Sequence, residues 1–168
     1  QLQPPRFSST EWYDKLNICP DTIVVCMIAN FSDRKDHLTL LKAWRVVLNE
    51  LQQSDKNAVL LLAGSDQGTM NKAKSLAFDL NLGGKVCFLG EVEDISGLLS
   101  IVDISVYISP LEGLPNGILE SMAAGLAVVA TDIPGNREAL GHDYPFLSIQ
   151  GSAGSIARHI LELINDID

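Results

Sequence analysis

An α/β fold, with a doubly wound parallel sheet and helices on both faces, is the class this chain predicts, on three observations. Short, continuous apolar runs of strand length, such as TIVVCMIA at residues 22–29, lack the alternation of a half-exposed strand and fit strands covered on both sides. Between them lie stretches with apolar residues every three or four positions, as amphipathic helices have. The two patterns alternate along the chain, and that order implies parallel strands joined by right-handed helical crossovers.

Each element follows from its local pattern. QLQPPRFSS at the start has adjacent prolines and no apolar period, so residues 1–20 read as a linker with a short helix at Thr10–Leu16, ahead of one domain at 21–168. After the first strand, Leu38, Leu41, Trp44, Leu48 and Leu51 form one stripe of a long helix. Ala58–Ala63 is a second strand, followed by a helix with Ala73, Leu76, Ala77 and Leu80 inward and a third strand at Val86–Phe88. Ile95, Leu98, Leu99 and Val102 mark a short helix, Ile104–Ile108 a fourth strand, and Ala127–Thr131 a fifth. Phe146–Ile149 and a helix carrying Ile156, Ile160, Leu163 and Ile167 complete the series.

Composition narrows the function classes. With 168 residues, 46% hydrophobic and 20% charged, the chain is long enough for one well-buried core. No apolar run reaches the roughly 18 residues of a membrane span. A net charge of -9 opposes general affinity for nucleic acid or anionic membrane, so a phosphate-bearing ligand needs a local cationic site. The three cysteines lack metal-ligand spacing and read as reduced core or near-core residues, which points to a cytoplasmic location. The chain begins with Gln1, and no secretory signal pattern precedes the fold.

In sheets of this kind ligands lie beyond the carboxyl ends of the strands, which directs attention to the loops there. The stretch EGLPNGILESMAAG, after the fourth strand, holds Glu112 in a loop and Glu120 about one turn into a helix, with Asn116 as its N-cap and Gly125 just past its end. Free N–H groups at that helix start suit a phosphate, and Gly113 admits a ligand close to the backbone. Glu120 suits ribose hydroxyls, because an ionised carboxylate accepts two hydrogen bonds. Most glutamates are simply solvated, but two placed this way at a strand end favour a binding role. Arg34 and Lys35, after the first strand, could neutralise a diphosphate, Lys35 being the favoured one; the alternative is a solvated pair flanked by Asp33 and Asp36. In TDIPGNREAL, Gly135 marks a turn and Arg137 with Glu138 opens the next helix, where turn chemistry explains the pattern nearly as well as ligand contact. The scattered His37, His142 and His159 support no triad, the terminal Asp166 and Asp168 read as solvated charges rather than metal ligands, and neither phosphate-loop nor dinucleotide glycine motif is present.

SPLEGLPNGILESMAAGLAVVATDIPGNREAL, with IANFSDRKDHLTLLKAW, VLLLAGSDQG and VCFLGEVEDISGLLSIVDISVYIS, resembles the donor-binding half of retaining glycosyltransferases of the GT-B fold, family four (group 1). The resemblance covers nearly the whole chain and implies a Rossmann-like domain at 21–168 that binds a nucleotide sugar. It implies catalytic roles for Lys35 and Glu112, with Lys35 on the diphosphate and Glu120 on the ribose. Glu112 with Gly113, Leu114, Pro115 and Asn116 would face sugar and phosphates, and Leu89 to Val92 would line the base. Gly64, after the second strand, belongs to the same donor-binding set. Asn30 stands where the family often has an Arg, which leaves part of the leaving-group stabilisation open, with Arg34 as a substitute. The reaction implied is transfer of a sugar from a nucleotide diphosphate donor, UDP-sugar ahead of GDP-sugar, to an acceptor hydroxyl with retention, without metal or cofactor. The acceptor, whether glycan, lipid or small molecule, would be held by an N-terminal domain absent from this chain, as would any peripheral contact with the inner face of a membrane. This piece alone is expected to transfer little or no sugar. The rival readings are a non-catalytic nucleotide-binding regulatory module and a nucleotide-sugar epimerase of the same architecture.

Overall fold

The computed structural model describes residues 3–167 other than 112 and 114. The chain folds as α1 (Ser9–Leu16), β1 (Ile23–Ile28), α2 (His37–Leu51), β2 (Ala58–Ala63), α3 (Met70–Asp79), β3 (Val86–Gly90), α4 (Ile95–Leu99), β4 (Ile104–Tyr107), α5 (Asn116–Ala123), β5 (Ala127–Thr131), α6 (Pro134–Leu140), β6 (Leu147–Ser148) and α7 (Ala153–Asp166). The six strands make one parallel sheet in the order β3-β2-β1-β4-β5-β6, the doubly wound arrangement expected. Succession reverses between β1 and β4, and the crevice at such a reversal is where ligands of open α/β sheets bind.

Alternate residues of each strand divide the core. Val25, Met27, Leu60, Leu62 and Val106 pack under α2, α3 and α7, whereas Val24, Cys26, Val59 and Leu61 pack under α1 and α4. Tyr107, Val128 and Ala130 lie under α5 and α6 on that second side. Trp44, fully buried, donates from Nε1 to the Lys85 carbonyl at 2.8 Å and so pins α2 to the loop before β3.

Several boundaries and faces differ from expectation, each for a local reason. Ser8 and Glu11 form a reciprocal capping box, so α1 starts at Ser9. The inward stripe of α2 runs through His37, Leu40, Leu41, Trp44, Val47 and Leu51, which turns Leu38 outward to 38% exposure. Cys19 is exposed, against the expectation that all three thiols lie in or near the core; Cys26 is buried and burial pushes its pKa up to about 12. Pro134, not Arg137, opens α6, since proline lacks the N–H that the first helical position leaves unused. Gly135 therefore lies inside that helix, and Arg137 reaches back to Asp132 through two bonds of 2.5 and 2.7 Å. This pair holds the Asp132 carboxyl below its ordinary range.

Candidate functional site

The loops at the carboxyl ends of the strands are joined to one another. After β1, the Asn30 side-chain oxygen accepts from both the backbone N–H and the hydroxyl of Ser65, at 3.1 and 3.0 Å. The residue standing at the strand end thus ties the loops after β1 and β2 together. Gly64 makes this close approach possible: its φ is +154°, and a Cβ there would lie 2.1 Å from the Ala29 carbonyl oxygen. Phe31, fully buried, bridges to Asp66, and the Asp36 N–H donates to the Ile108 carbonyl at 2.9 Å, across the reversal point between β1 and β4.

Lys35 lies on that crossing and lines a cavity of about 290 Å³ with Asp36, His37, Thr69 and Pro110, the last from the loop after β4. Arg34 is exposed in the same turn. The loops after the first and fourth strands therefore meet beside Lys35. Glu112 and Leu114 lie outside the described residues; Gly113, beside them, is exposed.

Helix α5 carries Glu120 on the opposite side of the sheet. Pro115 takes the cap position in place of Asn116, which becomes the first helical residue, and no side chain caps this end. Gly125 follows the helix with φ +77°, the left-handed stop expected of it. Beneath α5 a hydroxyl chain fixes its position: Ser121 donates to Ser105 at 2.9 Å and pairs with the Tyr107 hydroxyl at 2.9 Å, all three buried. Burial raises the Tyr107 pKa, so the phenol stays protonated. Gly117 rests on the Tyr107 ring, where an added Cβ would lie 2.5 Å from Cε1.

Glu120 is half-buried and lines a cavity of about 210 Å³ with Glu93, Asp94, Ile95 and Ser96, the segment that follows β3. Leu89 and Val92 line an adjoining cavity of about 630 Å³, and both cavities have Arg6, Glu93 and Asp94 in their walls. Glu120 and the residues after β3 thus share one depression, while Lys35 lines another on the far side of the same rim.

Asp94 organises this second depression, a role that motif reading did not assign. Its carboxylate, 6% exposed, accepts from the N–H groups of Arg6 and Gly97 on Oδ1, at 2.9 and 3.1 Å, and from Phe7 N–H and Trp12 Nε1 on Oδ2, both at 3.1 Å. Burial pushes its pKa up, but these bonds outweigh burial and hold it below the usual carboxylate value. The available signal was an Asp just before a short apolar helix, an N-cap pattern. Among the described residues, no group of three or more His, Cys, Asp or Glu could hold a metal ion, and no helix is long and apolar enough to cross a membrane.

An open parallel sheet with depressions at its carboxyl rim defines a doubly wound α/β domain of the ligand-binding class. The family model described as glycosyl transferases group 1 matches residues 8–167, and the chain belongs to that family. The lipopolysaccharide core biosynthesis glycosyltransferase LpsE of Rhizobium meliloti is 33% identical over 153 residues, covering 90% of this chain and 42% of that protein. The UDP-Gal:alpha-D-GlcNAc-diphosphoundecaprenol alpha-1,3-galactosyltransferase of Escherichia coli is 29% identical over 123 residues, 73% of this chain and 31% of that one. HepE of Anabaena, solved in complex with UDP and glucose, matches with a TM-score of 0.81 at 25% identity, over 94% of this chain and 42% of its own. The chain therefore spans less than half the length of these relatives.

Proposed function

We propose that this chain is the donor-binding half of a retaining glycosyltransferase of family four, which transfers a sugar from a UDP-sugar, with GDP-sugar second, to an acceptor hydroxyl. The observation that carries the reading is Glu120 on a fixed helix, sharing a cavity with the segment after β3 at the carboxyl rim. A nucleoside laid along that cavity would put its ribose against Glu120 and its base toward Leu89 and Val92. Its diphosphate would extend toward Lys35 and the loop 113–116, where a cation and helix-terminal N–H groups favour negative charge. The sugar would then face Glu112. HepE, named in complex with UDP and glucose, supports a uridine nucleotide.

The N-terminal half that holds the acceptor is a separate domain in this reading, residues 1–20 are the connection to it, and the reaction proceeds in the cytoplasm without metal. The departing diphosphate is stabilised by Lys35, with Arg34 assisting. A second reading, a regulatory module that binds nucleotide without transfer, draws on Asn30, whose carboxamide is engaged by Ser65 and supplies no cation at the strand end.

Calorimetric titration with UDP, GDP and ADP tests the donor site. UDP is expected to bind most tightly, and Glu120→Gln to weaken it about tenfold, or ~1.4 kcal/mol, with the melting temperature unchanged. Equal UDP affinity in that variant would remove the ribose assignment. The chain on its own is expected to show little or no sugar transfer, and robust transfer would overturn the two-domain reading.

A further inference from the structure

Asp94 holds more donors than the helix it caps requires. An N-cap side chain need accept only from an N–H in the first turn of its helix, and Asp94 does so from Gly97. Its three other bonds come from near the beginning of the chain: the N–H groups of Arg6 and Phe7, and Nε1 of Trp12. Gly97 admits this gathering, since a Cβ there would lie 2.0 Å from Asp94 Oδ2 and 2.5 Å from Trp12 Nε1. A buried carboxylate with both oxygens engaged is a fixed point, and residues 6 and 7 are tied to it.

Residues 3–7 form neither helix nor strand, so their place on the domain depends on these bonds. Arg6 adds an exposed ion pair with Glu93, and the Phe7 ring meets Trp12 edge-on at 6.2 Å. Pro4 and Pro5 lie just before the tie; proline fixes φ and has no N–H, so this stretch is stiff and its direction is set from Arg6. Gln3, Pro4 and Arg6 form one wall of the cavity of about 210 Å³ that Glu120 lines. Arg6 and Phe7 also line the adjoining cavity of about 630 Å³, with Leu89 and Val92. A nucleoside with its ribose at Glu120 and its base toward Leu89 must therefore pass along these residues.

On the donor reading of this depression, we propose that residues 3–7 are a strap that walls the nucleoside in, and that Asp94 is the positioning residue that latches the strap. Asp94 acts through the strap and not on the ligand, because its oxygens already serve the N–H groups of Arg6, Phe7 and Gly97 and the Trp12 ring. A wall fixed before the ligand arrives does not have to be ordered on binding, so the latch contributes affinity by preorganisation.

The test is titration of the 168-residue chain with UDP, followed by calorimetry and by the amide NMR signals of Arg6 and Phe7. Saturating UDP is expected to shift both signals and to slow their exchange with solvent about threefold or more. Arg6→Pro removes one donor to Asp94 but leaves the Gly97 and Trp12 bonds in place, and Arg6 is exposed, so the fold should persist. It should weaken UDP about fivefold, chiefly through faster release. Arg6→Ala keeps the N–H and should weaken UDP only about twofold. Asp94→Asn turns one accepting oxygen into a donor; it should weaken UDP at least as much as Arg6→Pro and lower the melting temperature as well. Equal UDP affinity in Arg6→Pro and the unaltered chain overturns the strap, and so do Arg6 and Phe7 amides that saturating UDP leaves unmoved. A loss that Arg6→Ala matches would lie with the guanidinium alone, and tighter binding in Arg6→Pro would make the segment an obstruction; either result overturns the strap too. In all these cases the donor reading stands if Glu120→Gln weakens UDP. UDP that does not bind, or binds regardless of Glu120, removes the donor reading and the strap with it.

Discussion

Helices α2 and α5 reach the same rim from opposite faces of the sheet, and what holds each in place differs. Under α2 the packing is chiefly apolar, with Leu40, Leu41 and Trp44 fully buried against Val25 and Met27. Under α5 the apolar contact of Ile118 with Val128 and Ala130 is joined by a chain of hydroxyls, Tyr107 to Ser121 to Ser105, and a glycine seated on an aromatic ring. Apolar burial is strong but nearly indifferent to small rotations of a helix. Hydrogen bonds weaken steeply once their geometry degrades, so the polar face fixes α5 to a narrower range of positions. The helix that must present a carboxylate to a ligand at a set distance lies on the directional face.

The most severe way to break that arrangement is Gly117→Ala. The new methyl would lie 2.5 Å from Tyr107 Cε1, and the ring cannot retreat without giving up its bond to Ser121. Overpacking of this kind costs typically 1–3 kcal/mol, and here displaced hydroxyls add to it, for about 3 kcal/mol in total. For a chain of this size the melting temperature would fall by roughly 6–12 °C, measured by scanning calorimetry. UDP affinity should fall more than tenfold, while the dependence of stability on pH set by His37 survives. Equal loss of both would show that the faces are not independent.

Acidification acts on the other face. Burial lowers the folded-state pKa of His37 from an ordinary 6.5 to about 4; nearby carbonyls and the Asp36 carboxylate pull it back in part, and Lys35 lowers it further. Between those two values the unfolded chain takes up a proton that the folded one refuses. Stability is thus complete above about pH 6.5 and declines as pH falls toward 4, by on the order of 2–3 kcal/mol. Chemical denaturation at a series of pH values measures this slope, and His37→Phe should flatten it in that window. The Asp94 carboxyl, held below its ordinary value, gives a separate decline at lower pH, since its contribution is present above the unfolded value and is lost as pH falls through the folded one. A slope that persists unchanged in His37→Phe would mean that other groups set it.

These sites divide according to what a sequence can carry. The sheet was legible because strand periodicity and helical stripes are local signals, and the alternation of elements fixes parallel pairing. The places of Lys35 and Glu120 at the rim followed from that order. What could not be read were contacts made across the chain. Asn30 bonds Ser65, Asp94 gathers donors from residues 6, 7, 12 and 97, and Tyr107 meets Ser121 only after β4 and α5 have packed. The outward turn of Leu38 has a similar origin, because the neighbours α3 and α7 decide which flank of α2 is covered. His37 looked like an isolated histidine because its burial against Phe31 is made only by the fold, which no spacing encodes.

The mildest perturbation separates the members of the hydroxyl chain. Tyr107→Phe removes one hydroxyl, but Ser121 keeps Ser105 as a partner, so no buried oxygen is left without a bond. The cost should be about 0.5–1 kcal/mol, near the low end for a single hydrogen bond, and the melting temperature should fall by roughly 1–4 °C. Ser121→Ala removes the central member and leaves both Tyr107 and Ser105 facing an apolar side chain, which should cost about 2 kcal/mol. If the two variants prove equally mild in calorimetry, the hydroxyl chain is not what orients α5, and the glycine seat on the Tyr107 ring must carry that task alone.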